Sequence, residues 1–325
     1  YNSDSLYKSD FKYSYYGLDG WFGYSLNGKR SLYANKEVRV HRFLAIRGFK
    51  QFFQIIPVKA QVNYDYRFTD FSGILTSFNI FKQIFYKTSF IYGFGLVEDI
   101  PEGFNAVVTT GYINQQNFKR PYGGLELSLA NFKQQGKYFN YTFKLGGYYY
   151  RKRFEDVSLL FNLNHFSRLH KIKSKWYNRM FLNAGIAAQG NPRLNAPLYL
   201  NSDYGLPYLT NGALTSDLRA TIRTESVFYN TTKILGFRFA PFIFADAILL
   251  KPSKLGLQHS DIFSAIGGGV RTRNDNLIFG TVELKAYYFP RKNGDMNAFK
   301  IDLNSNLRFK FRGNLNVRPE FISGN

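Results

Sequence analysis

The side chains that could do chemistry do not gather into the patterns that chemistry needs. Four histidines are the candidate metal ligands, His41, His165, His170 and His259, and only His165 and His170 are near neighbours. Five positions apart, these two face opposite sides of a strand, and the chain has no cysteine to complete a ligand set. The same lack of cysteine removes thiol nucleophiles and disulfides. Gly267, Gly268 and Gly269 would suit a phosphate loop, but no Lys-Ser/Thr pair and no helical pattern follows. Small residues that let a strand bend, or let a loop approach, are the expectation there. The acid pairs Glu98 with Asp99 and Glu155 with Asp156 fall at expected turns, where solvation accounts for them. A hydrolase would need Ser, His and an acid converging on one wall, which no motif announces. The chain therefore reads as a non-enzyme, with no catalytic residue, no metal and no cofactor.

What the sequence does carry is alternation. Residues 299–312 read FKIDLNSNLRFKFR. A strand turns successive side chains to opposite faces, so Phe299, Ile301, Leu303, Leu307, Phe309 and Phe311 share one face with Ser305. Lys300, Asp302, Asn304, Asn306, Arg308, Lys310 and Arg312 share the other. At helical period the apolar residues would scatter around the whole cylinder. The pattern recurs over 276–290, 217–228, 139–149 and 157–163, with Gly, Asn, Asp and Pro clusters between strands at 27–29, 135–137, 191–207, 275–276 and 293–295. Dividing 325 residues by about twenty per strand and connection gives roughly sixteen strands. The fold class expected is all-β, a transmembrane antiparallel barrel with its oily face toward lipid and its wet face toward a polar lumen. Aromatics at 148–150 and 287–289 fit interfacial girdles.

Composition agrees. Aromatic residues make up 19% of the chain, from 34 Phe and 25 Tyr, which excludes disorder. The most apolar stretch, 237–250, already holds Arg238 and Asp246, so no run approaches the roughly eighteen apolar residues of a spanning helix. The net charge of +21 comes from basic residues that alternate with apolar ones, which a wet strand face explains better than a phosphate groove. No nucleic-acid partner is expected. Lys171, Lys173 and Lys175 are placed to meet lipid phosphates or to be ordinary solvated loop charge. The opening YNSDSLYKSD lacks the basic start and apolar core of a signal peptide.

The C-terminal third resembles a known family. Arg223, Thr224 and Glu225 at a strand end are followed by GFRFAPFIFADA at 236–247, SAIGGGVRTRNDNLIF at 264–279 and a terminal amphipathic strand. Together these resemble the barrel of the BamA/TamA superfamily of outer-membrane assembly proteins. GFGLVEDIPEGF at 93–104 and RPYGGLEL at 120–127 look like the Bacteroidota version. The resemblance implies a sixteen-stranded barrel with a long loop folded into its lumen. It covers most of the chain and is sharp from about Leu218 onward. The family's Phe-x-Asp-x-Gly strand motif is met by Phe244 and Asp246, with Ile248 in place of the glycine. The resemblance makes Phe244, Asp246 and Arg238 the lumenal anchor group. It makes 190–210 the inserted loop, with Tyr204, Gly205, Leu206, Pro207 and Tyr208 at its tip. The family's loop arginine is absent, so another cation is expected to neutralise Asp246, either Arg193 or one of Arg238, Arg271 and Arg273. An IRGF string at 46–49 lies on an early strand, away from the family's position, and reads as coincidence.

The chain is thus expected to be a single outer-membrane barrel domain over 1–325, with a tail at 313–325 and no N-terminal periplasmic domain within it. The resemblance implies insertion or export of envelope components through a lateral seam between 299–312 and a strand within 11–27. Partners would be outer-membrane lipid and other envelope subunits, periplasmic or outer-membrane. A passive pore or scaffold that has lost the insertase mechanism is the alternative.

Overall fold

The computed structural model describes residues 12–26, 40–58, 60, 64–91, 94–133, 136–194, 196–209, 214–253, 255–274, 281–291, 297–305 and 318–325. Its strands are β1 (Ser14–Ser25), β2 (His41–Ile55), β3 (Phe71–Ser89), β4 (Val97–Gln115), β5 (Phe118–Lys133), β6 (Lys137–Tyr150), β7 (Arg153–Phe166) and β8 (His170–Lys173). They continue with β9 (Trp176–Gly190), β10 (Leu198–Tyr199), β11 (Thr215–Ser216), β12 (Leu218–Asn230), β13 (Phe237–Lys251), β14 (Asp261–Asn274), β15 (Val282–Tyr288) and β16 (Phe299–Ser305). Fourteen of them form one antiparallel sheet that follows chain order from β1 to β16, with the short β8 paired only to β9. β10 and β11 form a separate ladder inside the connection 191–217. Among the described residues the sheet thus counts fourteen strands, against the roughly sixteen expected for the whole chain. No helix among the described residues is long and apolar enough to cross a membrane.

Two hairpins show how local sequence sets the register. Gln116 with Asn117, and Arg151 with Lys152, have positive φ at both turn positions. That is the two-residue turn whose twist matches the flanking strands. The expected turns at 27–29, 275–276 and 293–295 lie outside the described residues.

The sheet is curled, because strands far apart in its order meet across one side. The Tyr229 hydroxyl of β12 donates to the Ile91 carbonyl between β3 and β4 at 2.7 Å. Arg238 of β13 donates to the Phe94 carbonyl of the same connection. Among the described residues no ladder joins β1 to β16, the two ends of the sheet order.

The two faces sort as alternation requires. Along β13, Ala240, Phe242, Phe244, Asp246, Ile248 and Leu250 are buried on the concave side, while Ile243 points outward at 61% exposure. Ile74, Val108, Leu127, Leu145, Ile186, Ile222, Ile266 and Leu284 continue the outer face from strand to strand, all exposed. Exposed apolar side chains that continue from strand to strand in this way mark a surface made for lipid or a partner rather than for water. Covering it with hydrocarbon yields about 1.5–3 kcal/mol per large aliphatic side chain. The architecture fits a membrane-spanning β-barrel. β16 covers 299–305 only; Asn306, Leu307, Arg308, Phe309, Lys310, Phe311 and Arg312 of the expected last strand lie outside the described residues.

Candidate functional site

The connection 191–217 leaves β9 and folds over the concave side of the sheet. Its start is fastened by Asp156, a buried residue at the head of β7 held at φ 50°. One carboxylate oxygen accepts the N–H groups of Arg193 at 2.6 Å and Leu194 at 2.9 Å. The other accepts from Arg120 at 2.7 Å, and Arg120 is itself fully buried with Gln115 and the Tyr148 ring around it. The Tyr64 hydroxyl donates to the Leu194 carbonyl at 2.7 Å. The pair Glu155 and Asp156 is therefore not simply solvated at a turn. Removing either ion of a buried pair leaves the other without compensation, which is why such a pair fixes position strongly.

Beyond this base the loop buries Leu198, Leu200, Leu206 and Leu209. A tight turn centres on Gly205, where a Cβ would come 2.2 Å from the Leu200 carbonyl oxygen, so the backbone approach tolerates only glycine. The Leu206 N–H donates to that same carbonyl at 2.8 Å. The turn delivers Pro207 and Tyr208 to the middle of the wall. There the Tyr208 hydroxyl donates to Asp246 Oδ2 at 2.6 Å. Its ring lies 4.7 Å from that of Tyr287 and 6.3 Å from that of Phe289, and its carbonyl accepts from Lys300 at 3.2 Å. Burial, and after it the Asp246 carboxylate, raises the Tyr208 hydroxyl above its ordinary pKa, so it stays protonated and donates.

The structure brings Asp246, Phe244 and Tyr208 together and leaves Arg238 out. Arg238 lies near the other end of β13, opposite Arg273 in the ladder, and donates to the Phe94 carbonyl. Arg193 pairs with Glu155 at 2.8 Å and lies over the Phe118 ring. Arg271 takes Glu225 through two bonds of 2.7 and 2.8 Å and Glu283 through one of 2.7 Å. None of the arginines expected to neutralise Asp246 bonds to it. Lys285 and Arg223 line the same cavity as Asp246. Lys285 Nζ sits 3.9 Å from the Phe244 ring centroid, and Arg223 is held by Asn183 at 2.9 Å. Between tip and wall remains a cavity of about 370 Å³, lined by Asn164, Asn183, Arg223, Glu225, Asp246 and Lys285 among others.

The remaining sequence-selected residues are placed as follows. Tyr204 stands 5.9 Å from Lys144 Nζ. Phe299, Ile301 and Leu303 of β16 point outward at 70–72% exposure, while Leu307, Phe309 and Phe311 lie outside the described residues. In the IRGF string, Arg47 pairs with Asp19 of β1 at 2.6 Å. Gly267 and Gly269 make room for neighbouring rings: a Cβ there would meet Phe244 at 2.6 Å and Phe242 at 2.7 Å. His165 Nδ1 lies 2.7 Å from the Tyr138 carbonyl, whereas His170 is exposed in β8.

Sequence reasoning missed Tyr208 as the donor and the Arg120–Asp156 anchor. The first had a signal, since an unpaired lumenal acid needs a donor and Tyr208 lies in the tip. The second had none, because the two residues are distant in sequence and meet only through the register of β5, β6 and β7.

No protein-family model matches the chain, and no curated protein matches it.

Proposed function

We propose that this chain is an outer-membrane barrel of the assembly or translocation kind, resembling the BamA/TamA superfamily, that handles client strands at the edge of its wall. The observation that carries the reading is the filled interior. Phe94 and Ile91, from the connection between β3 and β4, are buried at one end of the concave side. The connection 191–217 and residues 318–325 occupy the side from the other end, through Tyr208 on Asp246 and Ile322 on Tyr122. A passive channel needs a continuous polar path, and these segments stand in it. What the molecule offers instead is edges. Among the described residues β1 and β16 end the sheet order, and a strand edge without a partner is a template for an incoming one.

The membrane is the bacterial outer membrane in this reading, and the partners are its lipid, client strands and other envelope subunits. The Bacteroidota-like motifs at 93–104 and 120–127 support the same assignment. The alternative, a structural scaffold, keeps the fold without the moving edge.

A reversible lock separates the two. One cysteine is placed at Tyr16, Leu18 or Gly20 of β1 and the other at Ile301 or Leu303 of β16, in a chain with no cysteine of its own. Envelope assembly in cells should fail when the pair is oxidised and return on reduction. Full function with a quantitatively formed cross-link refutes the proposal and leaves the scaffold.

A further inference from the structure

Residues 318–325, RPEFISGN, belong to no strand, yet they are seated along the concave side from the edge strand to the inserted loop. We propose that this segment is a latch, an intramolecular peptide ligand that ties β1 to the lumenal loop and frees both when it leaves its groove.

At the first end, Arg318 reaches Asp19 of β1 at 3.1 Å, and Arg47, itself paired with Asp19, holds the Pro319 carbonyl at 3.0 Å. In the middle, Phe321 enters a box formed by Phe49, Phe71, Tyr122 and Tyr148, with centroid distances of 5.8, 5.3, 4.9 and 6.2 Å. Ile322 lies on the facing pair Gly124 and Gly146. A Cβ on Gly146 would come 2.7 Å from the Ile322 Cβ, so the pair is a cradle that any other residue would fill. The Ile322 N–H donates to the Tyr122 hydroxyl at 2.7 Å.

At the far end the segment holds the loop. Asn325 donates to the Pro197 carbonyl at 2.8 Å and accepts from the Tyr199 N–H at 2.9 Å. Arg219, a charged residue at 1% exposure, donates to the Gly324 carbonyl, the Asn325 side chain, the Tyr199 carbonyl and Ser202. A buried guanidinium requires acceptors, and the segment supplies two of these four. The groove is therefore shaped, by cradle, box and buried cation, for an extended peptide with an aromatic followed by a branched aliphatic residue. Its two ends grip different elements, β1 at one and the 191–217 connection at the other, which makes it a coupling device rather than packing.

The test reads order in those two parts and does not depend on the assembly reading. Hydrogen exchange is followed at Tyr199 and Leu206 of the loop and across β1, in Phe321→Ala/Ile322→Ala and in the control Leu257→Ala, an exposed residue outside the segment. The double variant should exchange about tenfold faster or more at both places, with the control unchanged. Should the double variant fold poorly, Ala187→Cys/Gly324→Cys, where a Cβ on residue 324 would lie 3.4 Å from that of residue 187, staples the segment to β9 reversibly, and exchange at both places should be slower oxidised than reduced. Failure of the staple to form, or exchange that responds in the loop but not in β1, or in neither, overturns the latch.

Discussion

Replacing Tyr208 by Phe removes one oxygen and leaves the ring against Tyr287 and Phe289. The only interaction deleted is the 2.6 Å hydrogen bond to Asp246. Hydrogen bonds to charged groups contribute about 1.5–3 kcal/mol net, and Asp246 is buried at 7% exposure beside the lumenal cavity. Since about 1.4 kcal/mol is a factor of ten, the loop's opening equilibrium should rise by roughly one to two powers of ten. The probes are the Leu206 and Leu209 amides, which bond to Leu200 and Leu206 within the loop. Their hydrogen exchange, measured in detergent or nanodiscs, should accelerate by that factor while the ladders of β12 and β13 keep their protection. Asp246→Asn retains an acceptor and should lose less, and the double variant should lose little more than Tyr208→Phe alone, since both changes act on one bond. Unchanged exchange at Leu206 and Leu209 in Tyr208→Phe would show that the contact does not hold the loop.

Two further expectations concern the wall. Ile243→Arg, on the outer face near the middle of β13, should lower stability in vesicles by about 2–4 kcal/mol, whereas Asn164→Arg, beside the lumenal cavity, should cost much less; equal tolerance in a refolding titration would contradict the assigned faces. Arg271→Met strands Glu225 and Glu283 and should cost about 3–5 kcal/mol, while adding Glu225→Gln and Glu283→Gln should recover much of it; denaturant titration of the single and triple variants decides between this and an independent role for each residue.

The wall was readable because alternation is a local property. Glu283 and Lys285 face inward and Leu284 outward, as their positions along the strand require. Asp246 was likewise placed inward by its strand neighbours, and the resemblance put the tip 204–208 near it. The interior was not readable to the same degree. Which cation or donor meets Asp246 depends on where a loop without periodicity comes to rest, and the structure gives Tyr208 where arginines were expected. Asp156 looked like a turn acid because its burial comes from Arg120 and from the loop above it. RPEFISGN read only as part of a tail, because it neither alternates nor repeats. Its place is written in Gly124 and Gly146, whose reason for being glycine is visible only once Ile322 lies on them.

The segments that cross the interior act on the wall as spokes act on a rim. Tyr229 to Ile91 joins β12 to the end of β3, Arg238 to Phe94 joins β13 to the same connection, and residues 318–325 run from β1 and β2 to Arg219 of β12. A rim without spokes keeps its curvature only while it is closed, so cutting it lets the sheet flatten. A rim with spokes stays round when cut. With no ladder between β1 and β16 among the described residues, these crossings rather than closure hold the curve of the sheet.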